Sequence, residues 1–179
     1  VIPDTVNNIG NYAFRYCTGL KSISLPATLA SIGTYAFDGC NNLLCVSFSD
    51  DAVSLNISNN AFNNCSALTI FEAPQGLYSI STEMFNGCTS IISINLENFV
   101  TNNVIYMNKM FGNCNSLTNL DLSKFTTKEV KSMEMMFNSC EKIKSLDLSN
   151  FTGEKIENIN SMFQNCISLT GISLIHFDV

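Results

Sequence analysis

The sequence is poor in the residues on which most enzymes and nucleic-acid-binding proteins depend. Its 179 residues include one His, one Arg and no Trp, and 13% of them are charged. Most acid–base and phosphoryl-transfer chemistry therefore lacks its usual side chains. The net charge is -6, and the chain lacks the clustered cations that bind phosphate backbones. We predict neither an enzyme nor a nucleic-acid-binding protein.

Long apolar runs and targeting signals are also missing. No run approaches the ~18 apolar residues of a membrane helix, and no basic-then-apolar leader follows Val1. The segment is therefore predicted to contain no membrane span. Apolar residues make up 46% of the chain, which excludes a disordered composition. The length suits one compact domain or one continuous array.

Cysteine is frequent and regularly spaced. Seven of the eight cysteines recur at intervals of 23, 25, 23, 26, 26 and 26 residues, and a Phe precedes each by three positions. Apolar residues also stand three, six and eight positions after each of these cysteines. Such a repeat predicts a solenoid, in which each repeat stacks on its neighbours and the recurring Phe residues form the centre of the core. The cysteines in register are Cys17, Cys40, Cys65, Cys88, Cys114, Cys140 and Cys166.

Each repeat has two parts. Apolar and polar residues alternate in Ser22–Leu25 and in residues 119–122, which predicts half-buried strands. The second part ends in Ala-Phe-x-x-Cys or Met-Phe-x-x-Cys, whose apolar spacing suits one helical or 3₁₀ turn. A short apolar segment just before that turn, such as residues 29–33, predicts a second and shorter extended stretch.

The array changes character near residue 88. Residues 1–88 form repeats of 23–25 residues, whereas residues 89–179 form repeats of 26 residues with an additional Phe eleven positions after the Cys. The register runs through the change, so we predict one solenoid over residues 1–179 and not two domains. We expect the natural array to continue in both directions. The additional Phe residues are Phe99, Phe125, Phe151 and Phe177.

Two motifs connect these repeats to known families. The run Leu117-x-x-Leu120-x-Leu122 fits half of a leucine-rich repeat. Residues 2–17, Ile-Pro-x-Thr-Val-x-x-Ile-Gly-x-Tyr-Ala-Phe-x-x-Cys, resemble the BspA-type (Treponema-type) leucine-rich repeat. Residues 120–140, with Leu-Asp-Leu-Ser-x-Phe-x-Thr and Met-Phe-x-x-Cys, resemble the related repeat of mycoplasma and commensal surface lipoproteins.

The resemblance implies an α/β fold. It is a right-handed, curved leucine-rich-repeat solenoid with parallel strands on one face and short helical or 3₁₀ turns and extended segments on the other. Members of the family are mostly large surface proteins of bacteria or protists that bind host proteins or other cells. The implied function is a non-catalytic binding or adhesion module, at the cell surface or secreted, with a protein partner. The alternative is a structural or intracellular scaffold array without a dedicated ligand.

One column departs from the common leucine-rich pattern. Where that pattern places a ladder Asn, the short repeats carry Thr28, Asp51 and Gly76, and the long repeats carry Phe. Another group must therefore form the hydrogen bonds that this Asn usually makes with the backbone of the turn.

The cysteine column has several interpretations. A zinc site needs close Cys pairs, and the nearest pair here is Cys40 and Cys45. In a stack of parallel strands, equivalent Cα–Cβ bonds are parallel and the Cβ atoms lie about 4.8 Å apart. Disulfides between neighbouring repeats would need these Cβ atoms to be closer together. We favour the interpretation that these cysteines are small apolar residues that fill the core. We therefore predict that the seven cysteines in register are buried, reduced thiols. Cys45 breaks the register and faces outward, so it alone is expected to react quickly with a thiol reagent.

The outward strand positions form the candidate partner-binding face. Their side chains are small, polar and mildly acidic, and they include no Trp or Tyr. A solvated sheet face and a face for a protein ligand are both compatible with this composition. The second half of the chain offers both signs of charge in adjacent columns, which favours specific recognition of a protein. The face is predicted to centre on Asn95, Asn119, Asp121, Ser145 and Asp147.

We interpret the other candidate groups as ordinary surface residues. Asp121 and Asp147 share a column and could hold calcium or act as an acid/base pair, but calcium prefers six to eight oxygens and no such loop is present. His176 stands alone near the end of the sequence. Asn-x-Ser/Thr sequences begin at Asn56, Asn64 and Asn150, and they matter only where the source glycosylates. We predict no metal and no cofactor.

Overall fold

The structure, a computed structural model, describes residues 1–49, 54–75, 77–79 and 81–173. Four positions discussed above, Asp51, Gly76, His176 and Phe177, lie outside the described residues. The strands of the described part are short. They are β1 Asn8–Ile9, β2 Ser22–Leu25, β3 Ser31–Ile32, β4 Cys45–Phe48, β5 Leu55–Ile57, β6 Ile70–Glu72, β7 Leu77–Ser79, β8 Ser93–Asn95, β9 Ser145–Asp147 and β10 Gly171–Ser173.

Parallel strands of successive repeats stack on two faces of the molecule. The shorter extended stretches form a continuous four-stranded sheet in the order β1-β3-β5-β7, and the bridges Tyr106–Ser132–Asn158 extend the same pairing. The strands predicted from alternation form three separate pairs, β2–β4, β6–β8 and β9–β10. Residues one repeat apart face each other, for example Ile23 and Val46. The chain is therefore a solenoid of stacked parallel strands.

The strand expected at residues 119–122 is not present. Asn119 and Asp121 are exposed and Leu120 and Leu122 are buried, so the alternation of faces holds there. This segment nevertheless does not form a strand. Side-chain alternation fixes which residues face the core, but a strand also needs a neighbour in hydrogen-bonding register.

The expected helical or 3₁₀ turns are replaced by a row of tight turns, and the described residues contain no helix, so none that could cross a membrane. The Ala36 N–H donates to the Gly33 carbonyl three residues back (3.2 Å), whereas the Phe37 N–H donates to the Ala61 carbonyl of the next repeat (2.8 Å). Because alternate N–H groups leave the turn in this way, a continuous helical ladder cannot form.

The backbone of these turns is left-handed at two positions in every repeat. The residues five and one positions before each Cys have φ between 50° and 77°. Glycine and Asn tolerate this region best, and Gly39, Asn64, Gly87, Asn113 and Asn165 occupy five of the seven positions next to the Cys.

The Phe column is the centre of the core, as predicted. The rings of Phe14, Phe37 and Phe62 stack with centroids 5.1 and 5.3 Å apart and nearly parallel planes. The interior members are fully buried, and Phe14 and Phe163 at the two outer repeats are partly buried. The three described members of the additional column, Phe99, Phe125 and Phe151, are also buried.

Buried threonines, two positions after the Phe that replaces the ladder Asn in the long repeats, bond to the backbone of the next repeat. The Thr127 hydroxyl donates to the Thr152 carbonyl (3.0 Å) and accepts from the Thr152 N–H (2.8 Å). Thr101 makes the same pair of hydrogen bonds to Thr126, at 3.0 and 2.7 Å. In the short repeats, the Thr28 hydroxyl donates to the Val6 carbonyl at 3.0 Å. Threonine hydroxyls therefore join neighbouring repeats at and near the column in which the ladder Asn is missing.

The prediction of seven buried thiols is wrong at the two ends of the column. Cys40, Cys65, Cys88, Cys114 and Cys140 are buried, whereas Cys17 is exposed and Cys166 is half-buried. An outer repeat has a neighbour on only one side in this chain, which explains the difference. All eight cysteines are free thiols, and Cys45 is exposed as predicted, but it is not alone in this because Cys17 is exposed as well.

Candidate functional site

All five residues of the predicted face are exposed. Asn95 is the last residue of β8, and Ser145 and Asp147 are the first and last residues of β9. Asn119 and Asp121 lie on the segment without a strand. The alternation of the repeat turns these side chains outward because their neighbours, such as Leu120 and Leu146, are buried in the core.

Three of the five residues also fix the turn that follows them. The Oδ1 atom of Asn95 accepts a hydrogen bond from the Glu97 N–H at 3.0 Å. Asp121 and Asp147 accept from the N–H groups of Ser123 and Ser149, both at 2.9 Å. This is the Asx turn, in which the side chain imitates a backbone carbonyl. The column therefore has a local structural role as well as an outward position.

The electrostatics of the two carboxylates follow from the same contacts. Hydrogen bonds from the backbone N–H and then the side chain of Ser123 lower the pKa of Asp121. Hydrogen bonds from the side chain and backbone of Ser149 lower the pKa of Asp147, while the charge of Asp121 opposes that shift. Both groups are therefore ionised at neutral pH, and they are close enough to influence each other.

A cavity of about 260 Å³ brings two of the predicted residues together. Asn95 and Asp121 line it with Glu97 and Lys124, so it combines an amide with both signs of charge. Asn119, Ser145 and Asp147 are not among the residues that line this cavity. The structure thus gathers part of the predicted set at one point and leaves the rest along the neighbouring exposed columns.

Several lysines of the second half are engaged elsewhere. Lys109 pairs with Glu83 (Nζ–Oε1 3.7 Å) and Lys131 pairs with Glu157 (3.6 Å). Lys155 pairs with Glu129, and this contact lowers the pKa of Glu129. The mixed charge of the face therefore depends on Lys124 beside Asp121 more than on the total number of lysines.

The geometry gives no support for a metal centre on this face. Among the residues that the structure describes, no three His, Cys, Asp or Glu side chains converge as a set of metal ligands would. Asp121 and Asp147 each already accept a hydrogen bond from a backbone N–H.

The sequence reasoning missed a cluster of aromatic residues on the turns. The rings of Tyr12 and Tyr35 stack with centroids 5.6 Å apart, and the Arg15 guanidinium lies 4.6 Å from the centre of the Tyr16 ring. Arg15 is fixed by buried Asp38, with Nε–Oδ2 2.8 Å. The signal is present in the sequence, because these residues occupy the positions one, two and five before the Cys, on the turns and not on the strands.

The turns also form a groove that the sequence reasoning missed. It has a volume of about 540 Å³ and runs across five repeats, from Tyr16 to Asn115, beside the cysteine column. The alternation of Gly39, Asn64, Gly87 and Asn113 immediately before successive cysteines could have indicated it.

Two family models match the sequence. One, described as the BspA type leucine rich repeat region in six copies, matches residues 1–106. The other, described as a Mycoplasma protein of unknown function, DUF285, matches residues 80–178. No curated protein matches this sequence.

Solved structures with the same architecture come from several bacteria. The T. pallidum leucine rich repeat protein TpLRR is 21% identical with a TM-score of 0.52, over 94% of this chain and 76% of that chain. A leucine-rich repeat protein from Bacteroides ovatus is 18% identical with a TM-score of 0.45, over 96% and 71%. A leucine rich cell surface protein from Faecalibacterium prausnitzii is 19% identical with a TM-score of 0.41, over 94% and 65%. The match to TpLRR shows the leucine-rich-repeat fold.

Proposed function

Because the chain belongs to the BspA-type leucine-rich repeat family over residues 1–106 and to the DUF285 family over residues 80–178, we propose that it is a non-catalytic module that binds a protein. The proposed face is formed by Asn95, Asn119, Asp121, Ser145 and Asp147. We place the module in a cell-surface or secreted protein, as the family resemblance implies.

The observation that supports this face is the cavity that joins Asn95 and Asp121 with Lys124. A partner that presents a cationic group to Asp121 and an anionic group to Lys124 would be complementary to it. Complementary charge of this kind increases specificity and the association rate more than affinity. The absence of Trp and Tyr among the five residues favours a weak contact, because strong protein hot spots are rich in these residues.

The Asx turns give the face a fixed geometry. The carboxylates of Asp121 and Asp147 are held by the N–H groups two residues further along the chain. Their side chains therefore lose less conformational freedom when a partner binds than free surface carboxylates would.

The test replaces both carboxylates while it keeps the turns. Asn95 shows that Asn supports the same Asx turn, so Asp121→Asn plus Asp147→Asn removes two charges and retains the hydrogen-bond acceptors. We expect unchanged thermal melting and at least a tenfold loss of affinity for a protein selected from a panel of purified matrix and plasma proteins. Surface plasmon resonance at low and high salt should place much of the loss in the association rate.

The controls address charge and position. Asp4→Asn plus Glu157→Gln removes the same number of charges from exposed positions away from the face and should leave binding unchanged. Ser47→Arg alters a cavity of about 380 Å³ in the first half, lined also by Glu72 and Asn98. If Ser47→Arg abolishes binding and the double Asn variant does not, the partner uses the first half and the proposed face is wrong. If no protein of the panel binds, the scaffold alternative is favoured.

A further inference from the structure

The groove on the turns is separate from the proposed protein-binding face and has a different chemistry. It lies between the columns one position before and one position after the cysteines, whereas the protein-binding face lies five and seven positions after them. Its volume is about 540 Å³, and it crosses five repeats. A ligand that fills it would run along the solenoid axis.

Every residue that lines the groove is uncharged, although the chain has a net charge of -6. The polar groups are amides and hydroxyls, contributed mainly by Asn64, Ser66, Thr89, Asn113 and Asn115. Amides and hydroxyls both donate and accept hydrogen bonds. They match a ligand whose own groups do both, namely sugar hydroxyls, better than they match a purely anionic or cationic ligand.

Hydrogen bonds between repeats hold these side chains and leave part of their capacity unused. The Nδ2 atom of Asn113 donates to Oδ1 of Asn86 at 3.0 Å, and that of Asn115 donates to Oε1 of Glu141 at 2.8 Å. Nδ2 of Asn64 donates to Oδ1 of Asp38 at 3.4 Å. Each amide has a second N–H and a carbonyl oxygen, and among the described residues these make no side-chain hydrogen bond. Oriented amides with spare donors and acceptors are preorganised for a ligand.

Two glycines set the direction of the side chains along the groove. A Cβ atom at Gly39 would lie 2.3 Å from Cδ1 of Tyr16, and one at Gly87 would lie 2.4 Å from Oδ1 of Asn64. The Tyr16 ring and the Asn64 amide therefore lie over the glycine of the next repeat, and any larger residue there would displace them. Tyr16 is 61% exposed and accepts a hydrogen bond at its hydroxyl from Nη2 of Arg15 at 2.9 Å, which fixes the ring at one end of the groove.

We propose that this groove binds a neutral oligosaccharide built of hexose units, lying along the axis of the solenoid. Successive repeats of a parallel stack are about 4.8 Å apart, which is close to the length of one hexose residue in a chain. Each sugar can then meet the amide or hydroxyl of one repeat. The site needs several consecutive repeats, because each repeat supplies only one or two polar groups.

The experiment measures binding of three neutral probes, cellohexaose, maltohexaose and mannohexaose, to the whole chain by isothermal titration calorimetry. We expect at least one of them to bind, and to bind at least tenfold more tightly than its disaccharide, because the groove extends over five repeats. The hexamer of galacturonic acid, which is anionic, should not bind more tightly than the neutral hexamers.

The decisive variant is Asn64→Gly plus Asn113→Gly. Both positions have positive φ, and Gly occupies the same column at Gly39 and Gly87, so the backbone is preserved while two amides are lost. The loss of their hydrogen bonds should weaken binding by about tenfold or more, with thermal melting showing that the variant is folded. Asn165→Gly, at the same position of a repeat outside the groove, should leave binding unchanged.

The proposal is overturned if none of the three hexamers binds, or if the double Gly variant binds as tightly as the parent. It is equally overturned if a neutral Asn- and Ser-rich peptide binds in the groove and the hexamers do not. The site is independent of the protein-binding face, so Asp121→Asn plus Asp147→Asn should retain saccharide binding.

Discussion

At the scale of single residues, the cysteines act as hydrogen-bond donors as well as small core residues. The Sγ atom of Cys65 donates to the carbonyl oxygen of Phe37 at 3.2 Å, and that oxygen also accepts the N–H of Cys40 at 3.1 Å. The same contact recurs in every later repeat, at 3.1–3.3 Å. Burial raises the pKa of Cys40 to about 11 and that of Cys88 to about 12, so these groups remain thiols at neutral pH.

This arrangement predicts the reactivity of the thiols. The thiolate is the reactive form, and buried thiols with raised pKa values are both inaccessible and protonated. A thiol reagent at neutral pH should modify Cys17 and Cys45 quickly, Cys166 more slowly, and the five buried cysteines only after denaturation. Peptide mapping by mass spectrometry identifies the modified sites. Fast modification of Cys88 or Cys114, or a disulfide between successive repeats, would contradict the packing described here.

The Phe column carries much of the stability of the core. Phe111 is fully buried and its ring stacks between Phe85 and Phe137, with centroids 6.3 and 5.7 Å away. Phe111→Ala should lower the free energy of unfolding by about 3–5 kcal/mol, the usual range for a buried Phe. Denaturant unfolding measures this. Val100→Ala, at a side chain that is 44% exposed, is the control and should change stability by less than about 0.5 kcal/mol.

At the scale of elements, the tight turns depend on left-handed backbone. Gly87 has φ +77° and no room for a Cβ atom. Gly87→Ala should therefore destabilise the protein by about 1–3 kcal/mol, through backbone strain and the clash with Asn64. Gly19→Ala is the matched control, because a Cβ atom there would meet nothing within 4 Å. Thermal melting of both variants tests the idea, and equal melting temperatures would rule it out.

Hydrogen bonds of the threonine hydroxyls also join neighbouring repeats. Thr127 is 1% exposed and satisfies both the N–H and the carbonyl of Thr152. Thr127→Val keeps the shape and leaves these two backbone groups without their partner, which should cost about 1–3 kcal/mol. Thr152→Val is the comparison, since the buried Thr152 hydroxyl has no partner among the described residues, and it should be neutral or slightly stabilising. A larger loss for Thr152→Val in urea unfolding would be inconsistent with this role of the Thr127 hydroxyl.

At the scale of the whole molecule, cohesion depends on contacts between adjacent repeats. The Phe62, Phe85 and Phe111 N–H groups donate to carbonyls one repeat further along, and a solenoid repeat contacts only its neighbours. A central repeat is therefore held on two sides and an outer repeat on one.

Hydrogen exchange should reveal this gradient. We expect the amides of Phe62, Phe85 and Phe111 to exchange at least tenfold more slowly than that of Phe14, because local opening is easier at the outer repeats. Hydrogen-exchange mass spectrometry on the intact chain provides the measurement. If all these amides exchanged equally slowly, the chain would exchange only through global unfolding, and the expected gradient would be absent.

The sequence by itself determined the solenoid, the core columns and the outward direction of the five face residues. These depend on the spacing of apolar residues, and burial of apolar surface is the dominant favourable contribution to folding. The alternation in Ser22–Leu25 predicted β2, and the spacing around Phe111 predicted its burial, because both are local patterns repeated in register.

Only the tertiary structure decided how backbone hydrogen bonds are shared between repeats. It turned the expected helical segments into tight turns, removed the strand at residues 119–122 and placed the hydroxyl of Thr127 between the backbones of neighbouring repeats. It also showed that the uncharged groove lies on the turns, while Lys109, Lys131 and Lys155 pair with carboxylates of neighbouring repeats. These outcomes depend on which groups of one repeat come within hydrogen-bonding distance of the next, and a one-dimensional pattern contains no such distance.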